Sequence, residues 1–211
     1  MIKLMLVDDH DLVRTGIKRL LEDLAEFDIV AEADCGESAL KHLASIELDV
    51  VLMDINMPGI GGLEATRKML QIKPDLKVII VTMHDDELFP QRLLKAGALG
   101  YLTKGAKAAE IAKAIHTVVL NRRYLSPEIA QQLALSNLDD DVVSPFESLS
   151  QREMQVLLMM MDGQNINSIS EKLFLSPKTV STYRSRLYSK LDVSNDIELA
   201  RLALQHGVTD K

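Results

Sequence analysis

The chain has 211 residues, of which 47% are hydrophobic and 4% aromatic, and its formal net charge at pH 7 is −7. This length can bury one large core or two modest ones. No apolar run approaches the ~18 residues of a membrane span, and the N-terminal apolar run is too short for a secretory signal, so we expect a cytoplasmic protein without a membrane partner. Cys35 is the only cysteine, which excludes disulfides and thiolate zinc sites within the chain.

Residues 1–120 alternate between two patterns. Stretches with apolar residues at helical spacing separate five short apolar runs, at residues 3–7, 29–33, 50–53, 77–82 and 100–102. These runs are apolar along their whole length, as strands are when they are buried on both faces of a parallel sheet. The pattern predicts a doubly wound α/β domain, with a five-stranded parallel sheet and helices on both of its faces.

Polar side chains stand at the ends of four of these five strands. Asp8 and Asp9 follow the first strand, Asp54 follows the third, Thr82 ends the fourth and Lys104 lies just beyond the fifth. The carboxyl ends of parallel strands meet at one edge of the sheet, where binding sites form. Clustered carboxylates repel one another unless a cation lies among them, and hard oxygen ligands suit Mg²⁺. The group therefore has the parts needed for phosphoryl transfer: an acidic nucleophile, a metal site, a lysine and a hydroxyl donor.

This pattern resembles the receiver domain of two-component response regulators. The resemblance covers about residues 1–120 and rests on Asp8-Asp9, on Asp54 followed by Met57-Pro58-Gly59, and on Thr82, Tyr101 and Lys104. It implies a flavodoxin-like fold in which Asp54 is the phospho-acceptor. It also implies that the phosphoryl group comes from a sensor histidine kinase or its phosphotransfer domain.

The same resemblance implies roles for the other site residues. Mg²⁺ would be bound by the acidic pair Asp8 and Asp9 together with Asp54 and the backbone carbonyl of Asn56. Thr82 and Tyr101 would form the switch pair, and Lys104 would pair with the phosphate. We further expect Met83 and His84, which follow the switch threonine, to affect the lifetime of the aspartyl-phosphate.

An acidic connector follows this domain. Residues 126–148 contain five acids and neither lysine nor arginine, with a Ser-Pro pair near each end and one short helical stretch at 127–135. Such a composition is typical of a linker. We therefore predict a receiver domain at 1–120, a linker at 121–147 and a second domain at 148–211.

The remaining residues have helical patterns throughout. Ser150 with Glu153 predicts a capping box, and Gly163 predicts the end of that helix. A short helix follows, and Ser176 with Pro177 predicts the start of a third one. A fourth helix is expected at about 196–205. Two helices with a short connection can form a helix-turn-helix, so an all-α domain of four helices is predicted.

Charge favours DNA as the ligand of the third helix. Residues 176–190 contain four basic side chains and no acid, within a protein that is acidic overall. If Val180, Leu187 and Leu191 face the core, the polar side chains face outward. We expect side chains of the first turns to lie near base edges, namely Lys178, Ser181, Thr182 and Ser185, and the later cations to bind phosphates, namely Arg184, Arg186 and Lys190.

The chain over about residues 145–210 resembles the LuxR-type helix-turn-helix, through Gly163 and the pairs Arg152-Glu153, Thr179-Val180 and Lys190-Leu191. That resemblance adds Thr179 to the expected DNA-binding residues. A receiver followed by this module is similar to the NarL/FixJ class of response regulators, and within it to the GacA/UvrY type. The resemblance implies a transcription regulator that is not an enzyme, binds double-stranded promoter DNA, forms a homodimer when phosphorylated and works with RNA polymerase.

Two other functions stay open at this point. A phosphatase of the haloacid-dehalogenase kind also uses an aspartate at a strand end, but it needs a second aspartate two residues later, where this chain has Asn56. A protein-binding module switched by phosphorylation would have the same receiver and no affinity for DNA. Phosphate-ester turnover would indicate the first function, and the lack of salt-dependent DNA binding would indicate the second.

Overall fold

The computed structural model describes residues 1–82, 96–127, 129–131, 145–206 and 208. The described residues up to 131 form one compact unit, and those from 145 onward belong to a second one. Within these ranges no helix is long and apolar enough to cross a lipid bilayer.

The first unit is a parallel sheet with helices on both faces. Its described strands are β1 (Ile2–Val7), β2 (Phe27–Ala33), β3 (Val50–Met53), β4 (Lys77–Thr82), β5 (Gly100–Thr103) and β6 (Tyr124–Leu125). They lie in the order β2-β1-β3-β4-β5-β6, and every neighbouring pair is parallel. The helices are α1 (Asp11–Glu22), α2 (Gly36–Ser45), α3 (Gly61–Ile72) and α4 (Ala108–Val119). The predicted doubly wound fold is confirmed.

The prediction of five strands was wrong by one. The additional strand, β6, has two residues and pairs in register with Gly100 and Tyr101 of β5. It lies beyond residue 120, the predicted end of the domain. A strand of two residues has no hydrophobic period of its own, because it is created by pairing with an existing edge.

The strands β1, β3 and β4 are apolar over most of their length because each contributes side chains to both faces of the sheet. Alternate residues such as Leu4, Leu6 and Leu52 pack with α1 and α4 in one hydrophobic cluster. The residues between them, such as Met5 and Met53, are also fully buried and point to the opposite face. This double burial explains why the sequence shows continuous rather than alternating hydrophobicity in these runs.

The order of the strands places the site. From β1 the chain moves outward to β2 and then returns to β3 on the other side of β1. The connections leaving β1 and β3 therefore run in opposite directions and leave a crevice between them, which is where open parallel sheets bind ligands. Asp8 and Asp54 are the first residues after these two strands.

The second unit is helical. A 3₁₀ helix (Pro145–Ser148) precedes α5 (Gln151–Met161), α6 (Ile166–Leu173), α7 (Pro177–Leu191) and α8 (Asp196–Gln205), so the four predicted helices are confirmed. The caps also follow the prediction, since Ser150 and Glu153 form a reciprocal capping box and Ser176 caps α7 with Pro177 in its first turn. Of the predicted linker helix, residues 127 and 129–131 are helical, and residues 132–144 lie outside the described ranges.

Candidate functional site

Asp54 lies at the end of a strand whose four residues are all buried. It is only 2% exposed, and its backbone N–H donates to the carbonyl oxygen of Val7 on β1 at 2.8 Å. Its Oδ1 accepts a hydrogen bond from the N–H of Ile55 at 2.8 Å. The charge at the end of this apolar strand is therefore held in place by backbone contacts.

Lys104 joins Asp54 to Asp8. Its Nζ lies 2.7 Å from Asp8 Oδ2 and 3.0 Å from Asp54 Oδ2, and the lysine side chain is 4% exposed. Its backbone N–H donates to the carbonyl of Thr82 at 2.8 Å, which fixes the residue beside the end of β4. Burial raises the pKa of Asp54 above its ordinary value, and the Asp8 charge adds to this rise, while Lys104 opposes it. Burial alone would lower the pKa of Lys104, but the two carboxylates raise it, so the lysine stays charged.

Acidic oxygens converge beside this ion pair. Atoms of Asp8, Asp9, His10 and Asp54 lie within 4.8 Å of one another, with Asp8 and Asp54 buried and Asp9 and His10 exposed. Three carboxylates at this spacing offer the hard oxygen donors that Mg²⁺ prefers, so the residues fit that ion. His10 was missed from the sequence: its Nδ1 lies 2.9 Å from Asp9 Oδ1, and its position directly after the acidic pair is the signal that could have indicated it.

Thr82 and Tyr101 lie on the same face of the sheet. Both side chains are fully buried. The register of β4 and β5 places Ile80 beside Tyr101 and Thr82 beside Thr103, and side chains two residues apart on a strand share a face. Tyr101 and Thr82 are therefore diagonal neighbours on this face. Their action as a switch stays a prediction, and Met83 and His84 lie outside the described residues.

The loop after Asp54 is held by contacts that involve Gly62 and Glu37. A Cβ added to Gly62 would overlap the carbonyl oxygen of Asp54 and lie 2.8 Å from its carbonyl carbon, so α3 begins directly against the backbone of the acceptor. The Oε1 of Glu37 on α2 accepts the N–H of Ile60 at 2.9 Å. The Glu37 contact joins segments that are distant in the chain, and the Gly62 contact depends on how closely two backbone segments approach. No local motif could therefore indicate either contact. Asn56, the predicted fourth metal ligand, donates its backbone N–H to the Asp54 carboxylate.

The predicted DNA-reading helix has the expected buried stripe. Val180, Leu187 and Leu191 are buried on α7. Five of the eight predicted DNA-binding side chains are exposed without an ion pair in the described part of the chain, namely Lys178, Ser181, Thr182, Ser185 and Arg186. Thr179 is partly buried and its hydroxyl lies 2.8 Å from Ser176 Oγ, within the cap of the helix.

Two predicted phosphate-binding side chains have partners within the unit. The Arg184 Nε donates to the Tyr188 hydroxyl at 2.8 Å and to Asp196 Oδ1 at 3.0 Å. Lys190 Nζ lies 2.7 Å from the buried Glu153 carboxylate and donates to a backbone carbonyl of the 3₁₀ helix. These contacts connect α7 to α8 and to the start of α5. Their acidic partners, Asp196 and Glu153, lie outside residues 176–190. The absence of acids within that stretch therefore did not indicate these ion pairs.

Comparison with known proteins finds a matching family for each of the two units. Residues 4–116 match the family described as "Response regulator receiver domain", and residues 147–203 match "Bacterial regulatory proteins, luxR family". The chain is 56% identical over 211 residues to the response regulator GacA of Pseudomonas syringae pv. syringae, covering 100% of this chain and 99% of that protein. It is 51% identical over 209 residues to the response regulator UvrY of Escherichia coli K12, covering 99% and 96%.

A solved structure shows the same relationship. The crystal structure of a LuxR-family two-component response regulator from Aurantimonas sp. SI85-9A1 has a TM-score of 0.62 and 40% sequence identity, covering 64% of this chain and 97% of that one. The chain thus belongs to the response regulators of two-component systems, in the class that joins a receiver domain to a LuxR-type helix-turn-helix DNA-binding domain.

Proposed function

We propose that this protein is a transcription regulator whose activity depends on phosphorylation of Asp54 by a sensor histidine kinase or its phosphotransfer domain. The observation that carries the proposal is the buried pairing of Lys104 with Asp54 and Asp8, at 3.0 and 2.7 Å. An ammonium at this place can neutralise a phosphoryl oxygen once the acceptor carries a phosphate. The exposed basic side chains of α7 support DNA as the target of the second unit.

Phosphoryl transfer would use an Asp54 oxygen as the nucleophile. A carboxylate oxygen forms a bond to phosphorus while the bond from phosphorus to the donor histidine nitrogen breaks, and that nitrogen keeps the electron pair and takes up a proton. The Ile55 N–H at 2.8 Å orients the carboxylate, and Lys104 stabilises the negative charge of the product. Mg²⁺, when bound by Asp8, Asp9, Asp54 and the Asn56 carbonyl, would neutralise phosphoryl oxygens.

A labelling experiment tests the acceptor. Acetyl phosphate with Mg²⁺ should add one phosphate that is stable to acid and labile to base and hydroxylamine, and peptide mapping should place it on Asp54. Asp54→Asn should abolish the label. Asp75→Asn makes the same change at an exposed acid before β4, at the opposite end of the strands, and should leave the label unchanged. A phosphate on a serine, threonine or histidine would contradict the proposal.

Apolar side chains of α8 are exposed in the second unit. Ile197 and Leu204 of α8 are 82% and 48% exposed, and they line a largely apolar groove of about 940 Å³ with Met160 and Ile166. Exposed apolar surface of this kind is typical of association sites. We propose that phosphorylation favours a homodimer that binds paired half-sites, because one small helix-turn-helix contacts too few base pairs for specificity.

Binding-site mapping by immunoprecipitation and sequencing, with and without the kinase, should recover paired half-sites that depend on phosphorylation. Sedimentation of the phosphorylated protein should show a dimer, with Asp54→Asn as the monomeric control. Equal sedimentation and equal operator affinity for both proteins would contradict phosphorylation-dependent dimer binding. Turnover of phosphate esters would instead favour a hydrolase.

A further inference from the structure

Arg14, the fourth residue of α1, contacts the acidic turn that Asp8 and Asp9 form before this helix. One terminal nitrogen donates to the carbonyl oxygen of Asp8 at 2.7 Å. Its Nε donates to Glu32 Oε2 at 3.2 Å and its other terminal nitrogen to Asp11 Oδ1 at 2.6 Å. The side chain is only 16% exposed, so the guanidinium lies under the turn rather than in solvent.

The Asp8 residue is consequently held on three sides. Its carbonyl oxygen accepts from Arg14, its Oδ1 accepts from the N–H of His10 at 2.8 Å, and its Oδ2 lies 2.7 Å from Lys104 Nζ. The carbonyl oxygen belongs to the peptide that joins Asp8 to Asp9. A guanidinium bound to that peptide restricts the rotation that would swing the exposed Asp9 carboxylate away from Asp54.

Glu32 connects this contact to the sheet. It lies on β2, where it is paired with Leu6 of β1, and it accepts from both Arg14 and Lys18. Because the guanidinium is planar and donates in fixed directions, its bond to Glu32 sets the direction of its bond to the Asp8 carbonyl. The acidic turn is thereby held at a fixed position relative to β2, the edge strand of the sheet.

We propose that Arg14 is a positioning residue for the metal site, which fixes the Asp8–Asp9 turn and so sets the affinity for Mg²⁺. The inference rests on the proposed function, since it assumes that these acids bind the ion. Groups that orient metal ligands without touching the metal commonly change metal affinity 10- to 100-fold when they are replaced.

Charge and geometry act in opposite directions here, which makes the inference testable. The positive charge of Arg14 repels a nearby cation, so its loss would by itself tighten Mg²⁺ binding. Its hydrogen bond to the turn has the opposite effect. Arg14→Lys keeps the charge and loses the planar fork, while Arg14→Gln loses both. Lys18→Gln removes a cation that shares Glu32 and has no described bond to Asp8, so it is the matched control.

Mg²⁺ binding is measured by amide NMR titration with Mg²⁺ alone, which also reports whether each variant is folded. Arg14→Lys should bind Mg²⁺ about tenfold more weakly than the wild type. Arg14→Gln should also bind it more weakly, but by a smaller factor, because the lost charge partly offsets the lost hydrogen bond, while Lys18→Gln should bind it no more weakly. At saturating Mg²⁺ the rate of acetyl phosphate labelling should return to near the wild-type value, because Asp54 and Lys104 are unchanged.

A folded Arg14 variant with an affinity within twofold of the wild type would overturn the inference, and so would equal weakening by Lys18→Gln. Failure of both Arg14 variants to fold would assign Arg14 to stability and overturn it as well; if only one folds, that one decides. A wild-type protein that shows no Mg²⁺-dependent labelling of Asp54 would instead refute the proposed function, so the two failures can be distinguished.

Discussion

Replacing Gly62 with alanine should disrupt the acceptor site. Gly62 lies in the first turn of α3, and an added Cβ would overlap the Asp54 carbonyl oxygen and lie 2.8 and 2.9 Å from the Asp54 carbonyl carbon and the Ile55 Cα. Ordinary carbon contacts are about 3.5–4.0 Å, so the two backbones must separate by about 1 Å. All three obstructing atoms belong to the backbone, and a side-chain rotation cannot relieve the overlap.

We expect two measurable effects of Gly62→Ala. Overpacking of this size destabilises a core by about 1–3 kcal/mol, which denaturant unfolding of the full chain measures. A displacement of about 1 Å at a reacting group can slow a reaction on the order of 10²-fold. Labelling by acetyl phosphate, measured well below the denaturation midpoint, should therefore be strongly slowed.

Gly16→Ala is the matched control. Gly16 lies inside α1, and an alanine Cβ there would meet no heavy atom within 4 Å apart from its chain neighbours and the backbone of its own helix. Alanine at an exposed helix position should stabilise the fold by about 0.5–1 kcal/mol without changing the labelling rate. If Gly62→Ala were as stable and as quickly labelled as Gly16→Ala, the argument from close backbone approach would be refuted.

Three further predictions concern the second unit. Burial alone would raise the pKa of Glu153, but Lys190 and the start of α5 hold this pKa below its ordinary value. The ionised Glu153 therefore stabilises the folded state above about pH 4.5, and this stabilisation is lost as the pH falls through the lowered pKa. Lys190→Met should therefore lower the unfolding free energy at pH 7 by about 1–3 kcal/mol and flatten its acid dependence, and an unchanged pH profile would contradict this. Phe174 is 78% exposed with φ of 53°, so Phe174→Asn should raise the unfolding free energy by about 1 kcal/mol, and an unchanged thermal midpoint would argue against strain. Asp196→Asn should release Arg184 to phosphates and steepen the salt dependence of DNA binding by about one charge per protomer, and an unaltered slope would show that the arginine stays bound within the unit.

Much of the receiver fold could be predicted because its signals are local. A strand buried on both faces is apolar at every position, and the aspartate that ends such a strand is conspicuous for that reason. Asp54 and Lys104 could be expected to meet because parallel strands bring their carboxyl ends to one edge. The caps at Ser150 and Ser176 were also readable, since a cap depends on residues within one turn.

The remaining features depend on approaches between distant segments. The strand β6 forms only because β5 offers an edge, and the Arg14 contact requires knowing that α1 packs beside β2. The charges of α7 illustrate the same limit. Arg184 and Lys190 were expected to bind DNA phosphates because their own helix has no acid. Their partners Asp196 and Glu153 lie on the neighbouring helices.

The buried ion pairs of Lys104 with Asp8 and Asp54 also affect the stability of the folded protein. Three ionic side chains, each at most 6% exposed, lie together at one edge of the sheet. Bringing such charges out of water is expensive, and apolar replacements of similar volume often stabilise a protein by 1–4 kcal/mol. A receiver in which leucine and methionine replace this triad would therefore unfold at a higher temperature than the natural protein. It would also be unable to accept a phosphate. Selection for heat resistance alone would remove the triad, and its retention would mark selection for signalling.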